Sequence, residues 1–160
     1  MRYHKSELAT EQIAVTWGTG TIRSWLNNTF LNQAFTSEEQ EKILPTTVVN
    51  AENAEYQIIG SNDTIDQIFL LNMDEIEQHH CAEIFTELSD YAAATPSLSA
   101  YAEDNIYRYK ALLRSNCYNG QSVYVLNCLY DHGSVCECYS NESVTFQGAV
   151  RPAIWVSLDR

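Results

Sequence analysis

Ser122-Val123-Tyr124-Val125-Leu126 and, after a run of turn residues, Ser134-Val135-Cys136-Glu137-Cys138 are the segments whose reading decides the fold. Both are short, rich in β-branched and aromatic residues, and bounded by Gly, Asn, Asp and Ser, which is how strands separated by turns read. Tyr109–Arg114 before them and Ala153–Leu158 after them have the same character. The last third of the chain is therefore expected to be a run of four short strands.

The first half reads differently. Ile22, Trp25, Leu26 and Phe30 recur at one face of a helix. A second short helix is expected from Thr36 or Ser37, because Thr36 with Glu39 and Ser37 with Gln40 each fit a capping box, and Pro45 closes it. Thr46–Val49 is β-branched and reads as a strand. Residues 50–64 read as a loop with a short strand at Tyr56–Ile59, and Gln67–Leu71 as a buried strand. Asn72 followed by Glu75 predicts a third capped helix through about His80. Residues 89–105 read as an extended surface loop. Helices first and strands later make an α+β class, and 160 residues make one domain, 1–160.

A net charge of −12, from 21 acids against 9 bases, argues against nucleic acid and anionic membrane surfaces as partners. No apolar run reaches the length of a membrane helix, which predicts no membrane insertion. Met1-Arg2-Tyr3-His4-Lys5 does not lead into an apolar stretch, and five cysteines are an odd number, so the chain reads as cytoplasmic with reduced thiols. Secretion by another route, or display on a particle, is the alternative.

The chemical motifs are few. His79-His80-Cys81 sits where helical neighbours diverge by about 100° and rarely share an ion. Cys136 and Cys138 would share a strand face near His132, but the spacing of structural zinc sites is missing. No Lys or Arg occurs from Asn116 to Val150 to activate the cysteines there. Glu38-Glu39, Glu75 and Glu77 read as solvated helix faces. Arg23, Arg114 and Arg151 lie among apolar residues, where a guanidinium pins segments together rather than binding an anion. Trp17, Trp25 and Trp155 read as core. The expectation is a protein without a metal or cofactor that is not an enzyme.

Four blocks carry a family resemblance: Ile22-Arg23-Ser24-Trp25-Leu26-Asn27 with Ala34-Phe35; Gln67–Leu71 with Glu75; Leu112-Leu113-Arg114-Ser115; and Ala149-Val150-Arg151-Pro152-Ala153-Ile154-Trp155. In order and spacing they resemble a bacterial family of unknown function whose members read LRxWLN, FLLSxxE, WWLRSPG and GVRPALW. The likeness spans about Tyr3 to Leu158. That family looks like a branch of the C-type-lectin-like superfamily, which includes formylglycine-generating enzymes and the variable proteins of diversity-generating retroelements. The resemblance implies a small twisted antiparallel sheet, flanking helices and long binding loops. Two departures stand out. Ala111-Leu112-Leu113-Arg114-Ser115-Asn116-Cys117 lacks the aromatic pair and the Pro-Gly turn. The family's N-terminal strands also have no counterpart, which leaves the last strand, Ala153–Leu158, with an open edge. Residues 1–16, or a second copy in a homo-oligomer, are expected to cover it.

Ser115–Gln147 is the unusual stretch. Of its 33 residues, 19 are Ser, Asn, Cys, Tyr, Asp or His. Tyr, Ser and Asn are the residues of adaptable binding loops. The same set arises when adenines of asparagine codons are replaced, and the resemblance implies that retroelement variable proteins carry such residues here. Asn116, Tyr118, Asn119, Asn127, Tyr130, Asp131, His132, Tyr139 and Asn141 are therefore expected on one exposed face, binding a protein or glycan target. Val123, Val125, Val135 and Val144 are expected to point inward. The alternative class is a cysteine- or metal-dependent enzyme akin to the formylglycine-generating enzymes.

Overall fold

The computed structural model describes residues 1–3, 14–78, 107–117, 120–131 and 134–158, with the side chains of 107–108, 127–131 and 134–139 outside that description. It is α+β, as the sequence predicts. A helical run opens with α1 (Thr21–Trp25), passes through a π-wound turn at Leu26–Phe30, and ends with α2 (Leu31–Ala34). Ile22, Leu26 and Leu31 turn into the core, as the periodicity requires. Trp25 and Phe30 are half-buried on the flank, with ring centroids 5.1 Å apart.

α3 (Ser37–Gln40) starts at the first of the two candidate boxes: Thr36 Oγ1 accepts from the Glu39 amide, and Glu39 Oε2 accepts from the Thr36 amide at 2.7 Å. That amide holds the exposed Glu39 carboxyl below its ordinary pKa, with the Thr36 hydroxyl adding to it. A depressed carboxylate stabilises the fold above its unfolded-state pKa, and the contribution is lost as pH falls through the folded value. Glu39→Gln should therefore lower the urea midpoint at pH 7 and narrow its deficit to wild type at pH 3. A deficit that is unchanged between the two pH values would refute the box as an electrostatic device.

β1 (Thr46–Val48) pairs antiparallel with β2 (Thr64–Asp66). Tyr56–Ile59 is a turn rather than a strand, with Ile58 making isolated bridges to Asn53 and Cys117. Gln67–Leu71 is extended and buried at Ile68, Phe69 and Leu70, but contributes one bridge, Phe69 to Ala153, rather than a ladder. α4 (Met73–Gln78) carries the expected box: Glu75 N–H donates to Asn72 Oδ1 at 2.7 Å, and Asn72 N–H donates to Glu75 Oε2 at 2.8 Å.

The second sheet holds three long strands in the order β3 (Tyr107–Asn116), β4 (Ser122–Asp131), β5 (Ser134–Ser143). All are longer than the sequence suggests. Pairing of β4 with β5 runs unbroken from Ser122↔Ser143 to Asp131↔Ser134. Pairing of β3 with β4 is regular to Leu112↔Val125 and resumes at Asn116↔Val123, so a bulge lies between. Gly148 and Ala149 run beside β3, with Leu112 N–H donating to Ala149 O and Ala149 N–H to Lys110 O, both at 2.9 Å. A Cβ at Gly148 would lie 2.8 Å from Leu112 Cγ and 3.0 Å from Lys110 O, so only glycine permits this approach. Val123, Val125 and Val144 are buried as expected, while Val135 lies outside the described side chains.

The C-terminal segment corrects two expectations. Residues 153–158 form no continuous strand. Ala153 bridges Phe69 and Val156 bridges Ile43, with Leu44 N–H donating to Trp155 O and Ser157 N–H to Lys42 O, both at 2.8 Å. The open final strand on which a homo-oligomer was expected is thus replaced by a seam against residues 42–44 and 69. Residues 1–3 pair elsewhere, at Gln147 and Gly148. Trp155, expected in the core, is 59% exposed, and Val156 beside it is 46% exposed, so this part of the seam runs along the surface. Trp17 meets the expectation at 1%. Among the described residues no helix is long and apolar enough to cross a membrane.

Candidate functional site

Two of the three arginines that the sequence marks as structural, Arg114 and Arg23, are held by carboxylates and carbonyls. Arg114, 3% exposed, sits in the β3 bulge. Its Nη1 donates to Leu70 O at 2.6 Å and Glu75 Oε2 at 2.8 Å, and its Nη2 to Val49 O at 3.1 Å and Glu75 Oε1 at 2.9 Å. One guanidinium so ties β3 to α4, to the segment that precedes α4 and to the residue that follows β1. Glu75 is consequently no solvated carboxylate, as its sequence position suggested, but the shared partner of a helix cap and a buried cation. Arg23 Nε donates to Asp66 Oδ1 at 2.7 Å, and Asp66 Oδ2 accepts from Trp17 Nε1 at 2.9 Å and Thr64 Oγ1 at 2.6 Å.

Asn27, in the same block as Arg23, acts as a piece of strand. Its Oδ1 accepts from the amides of Gln67 and Ile68 at 2.8 and 3.1 Å, and its Nδ2 donates to Ile68 O at 2.8 Å. Sequence reasoning missed Asn27, Asp66 and Tyr3. For Asn27 the only signal is a polar residue one position after a core leucine.

The expected recognition residues do not share one face. Residues i and i+2 of a strand share a face, and directly paired residues share it across the ladder. By register, positions 130, 139 and 141 fall with Leu126, whereas 127 and 131 fall with Val125. The opposite parity of Asn127 and Asp131 separates them from Tyr130, Tyr139 and Asn141. Asn141 is exposed. The side chains of Asn127, Tyr130, Asp131 and Tyr139, and all of Tyr118, Asn119 and His132, lie outside the described residues, as do His79, His80 and Cys81 and the side chains of Cys136 and Cys138.

Asn116 is a correction: it is 3% exposed, not a surface residue. The bulge carries β3 past Arg114 and turns Asn116 under the N-terminal segment, where Tyr3 OH donates to its Oδ1 at 2.7 Å. Burial pushes the Tyr3 hydroxyl pKa up, so it remains a donor.

Asn116 also lines a pocket together with Trp17, Val49, Asn72, Asp74 and Arg114. The pocket has about 330 Å³ of open space including its mouth, and about 20 Å³ of it admits the centre of a water-sized group. The loop 50–61 forms one wall. It is tied down by Asn53 Nδ2 donating to Asp74 Oδ1 at 2.9 Å, by Tyr56 OH donating to Glu77 Oε1 at 2.8 Å, and by Tyr124 OH donating to Tyr56 O. The bond to Glu77 is the main reason the Tyr56 hydroxyl pKa is pushed up to about 12. Cys117, beside this wall, is buried, and burial pushes its thiol pKa up, the opposite of what a nucleophile needs. Among the described residues no cluster of His, Cys, Asp and Glu is arranged to hold a metal.

The family whose model matches this chain does so over residues 3–158 and is described as a domain of unknown function (DUF6273). No curated protein matches the chain, and no solved structure does.

Proposed function

The chain belongs to the DUF6273 family of domains of unknown function, and on that premise we propose that it is a target-binding module of C-type-lectin-like fold rather than an enzyme. Its recognition surface is built on the β4–β5 hairpin and takes a protein or glycan. One observation carries this reading. Tyr107, Tyr109, Tyr124, Tyr130 and Tyr139, five of the chain's ten tyrosines, occupy same-face register positions of one sheet, with Asn141 opposite Tyr124. Tyr109 is buried toward Met73 and Ile76, which anchors that face to the core, while Tyr124 is half-exposed and Asn141 exposed. A rigid ladder presenting tyrosines gives large amphipathic contact at low entropy cost. The recognition set at these register positions is Tyr130, Tyr139 and Asn141, to which we add Tyr118, Asn119 and His132, which lie outside the described residues. Asn127 and Asp131 belong to the other face. The composition of residues 115–147 also fits a retroelement-diversified variable protein. A reverse-transcriptase gene beside a near-copy of these codons with adenines substituted would establish that, and its absence would leave an undiversified binder.

The test uses protein and glycan arrays. Wild type should bind a restricted set of features, and the Tyr118→Ala, Tyr130→Ala, Tyr139→Ala triple variant should lose roughly a hundredfold or more in affinity, since each interface tyrosine carries about 2 kcal/mol. Its melting temperature should stay close to wild type. A triple variant that unfolds shows these residues to be core, and the stretch is then scaffold.

A further inference from the structure

We propose that the pocket beside the 50–61 loop is a second binding site, for the uncharged oxygen tip of a small ligand (a carboxamide or a hydroxyl), and that the side-chain amide of Asn116 receives it. The inference is independent of the hairpin surface. Among the described residues, Asn116 Nδ2 is the one buried side-chain nitrogen or oxygen without a hydrogen-bond partner. Buried donors are almost always paired, so an unpaired one on a residue that lines a pocket marks a place where an acceptor belongs. Tyr3 OH lies 2.7 Å from Asn116 Oδ1 and 3.2 Å from Arg114 O, and with the amide in this orientation Nδ2 is the group left over.

The charges of the lining select against an anion. Four donor contacts of the Arg114 guanidinium already go to Glu75 and to the carbonyls of Leu70 and Val49. Asp74 contributes a carboxylate to the same lining, in a chain of net charge −12. A carboxamide or hydroxyl accepts from Asn116 and brings its own N–H or O–H, for which Asp74 is the acceptor. The space admitting a water-sized group, about 20 Å³, takes one such tip and little more, and the wider mouth, where exposed Ala51 sits, takes the rest of the molecule.

The test follows the Asn116 side-chain amide and the Trp17 indole N–H by two-dimensional proton–nitrogen NMR during titration with acetamide, ethylene glycol, acetate and methylammonium. A saturable shift with acetamide or ethylene glycol, and none with the two ions, is expected. Whichever of the two uncharged probes saturates at lower concentration identifies the tip as carboxamide or hydroxyl. Asn116→Leu should abolish the shift at Trp17. Because that variant also removes the bond to Tyr3, Ala51→Trp serves beside it: it closes the mouth without touching a buried hydrogen bond and should weaken binding at least tenfold. The proposal is overturned if neither uncharged probe saturates, which would leave ordered water as the amide's partner. It is overturned equally if acetate or methylammonium shifts the resonances as strongly, or if Ala51→Trp binds like wild type.

Discussion

Arg114→Met is expected to destabilise the domain by about 3–5 kcal/mol, the cost of breaking a buried ion pair by removing one partner. The guanidinium is 2% exposed at its side chain, and it satisfies the carbonyls of Leu70 and Val49 as well as both Glu75 oxygens. Losing it strands all of them, and Glu75 at the same time loses the partner that orients it over the α4 cap. At roughly 2–4 °C per kcal/mol for a chain of this size, the melting temperature should fall by about 6–20 °C. Arg114→Lys should recover less than half of the loss, because an ammonium cannot fork to a carboxylate and two carbonyls together. Full recovery by lysine would show that charge alone matters and that the fork does not.

Asp66→Ala is expected to cost a similar amount, about 3–5 kcal/mol. Asp66 is 2% exposed and receives three side-chain donors, from Trp17, Arg23 and Thr64. Arg23 is partly exposed and regains water, but the Trp17 indole N–H has no such recourse at 1% exposure. Asp66→Asn is the informative companion. It keeps one acceptor oxygen yet turns an N–H₂ toward donors, so it should rescue little. The measurement is the urea midpoint followed by tryptophan fluorescence. If Asp66→Asn equals wild type, the carboxylate charge plays no part in holding the helical run to β2.

How much of this was legible in the sequence depended on how local the deciding interaction is. The capping boxes at Thr36 and Asn72 are closed by residues three apart, and both were readable. Arg114 announced itself by being a charge among leucines, which have no use for one unless carbonyls converge there. Trp155 misled because residues 153–158 make only isolated bridges along the surface, and a sequence pattern does not distinguish such a segment from a buried strand. Asn116 misled for a related reason. A bulge adds residues to one strand without a composition signal, and the shift from Leu112↔Val125 to Asn116↔Val123 moved Asn116 from an apparent loop into the interior. The hairpin's existence was readable, its ten-residue strands were not, since Asn127–Asp131 and Tyr139–Ser143 are polar enough to pass for turns.

The unbroken pairing of β4 with β5 gives the gene a parity. Even-numbered codons of β4 and odd-numbered codons of β5 encode one side of the ribbon, and the remaining codons encode the side that carries Val123 and Val125. On the proposed reading, a lineage rewriting this tract nucleotide by nucleotide edits the two sides of the ribbon in alternation, and only the side opposite the buried Val123 and Val125 would answer to a changing partner. Sister genes whose replacements crowd into a single parity would record selection by that partner, whereas replacements spread evenly over both would record drift through a tolerant ribbon.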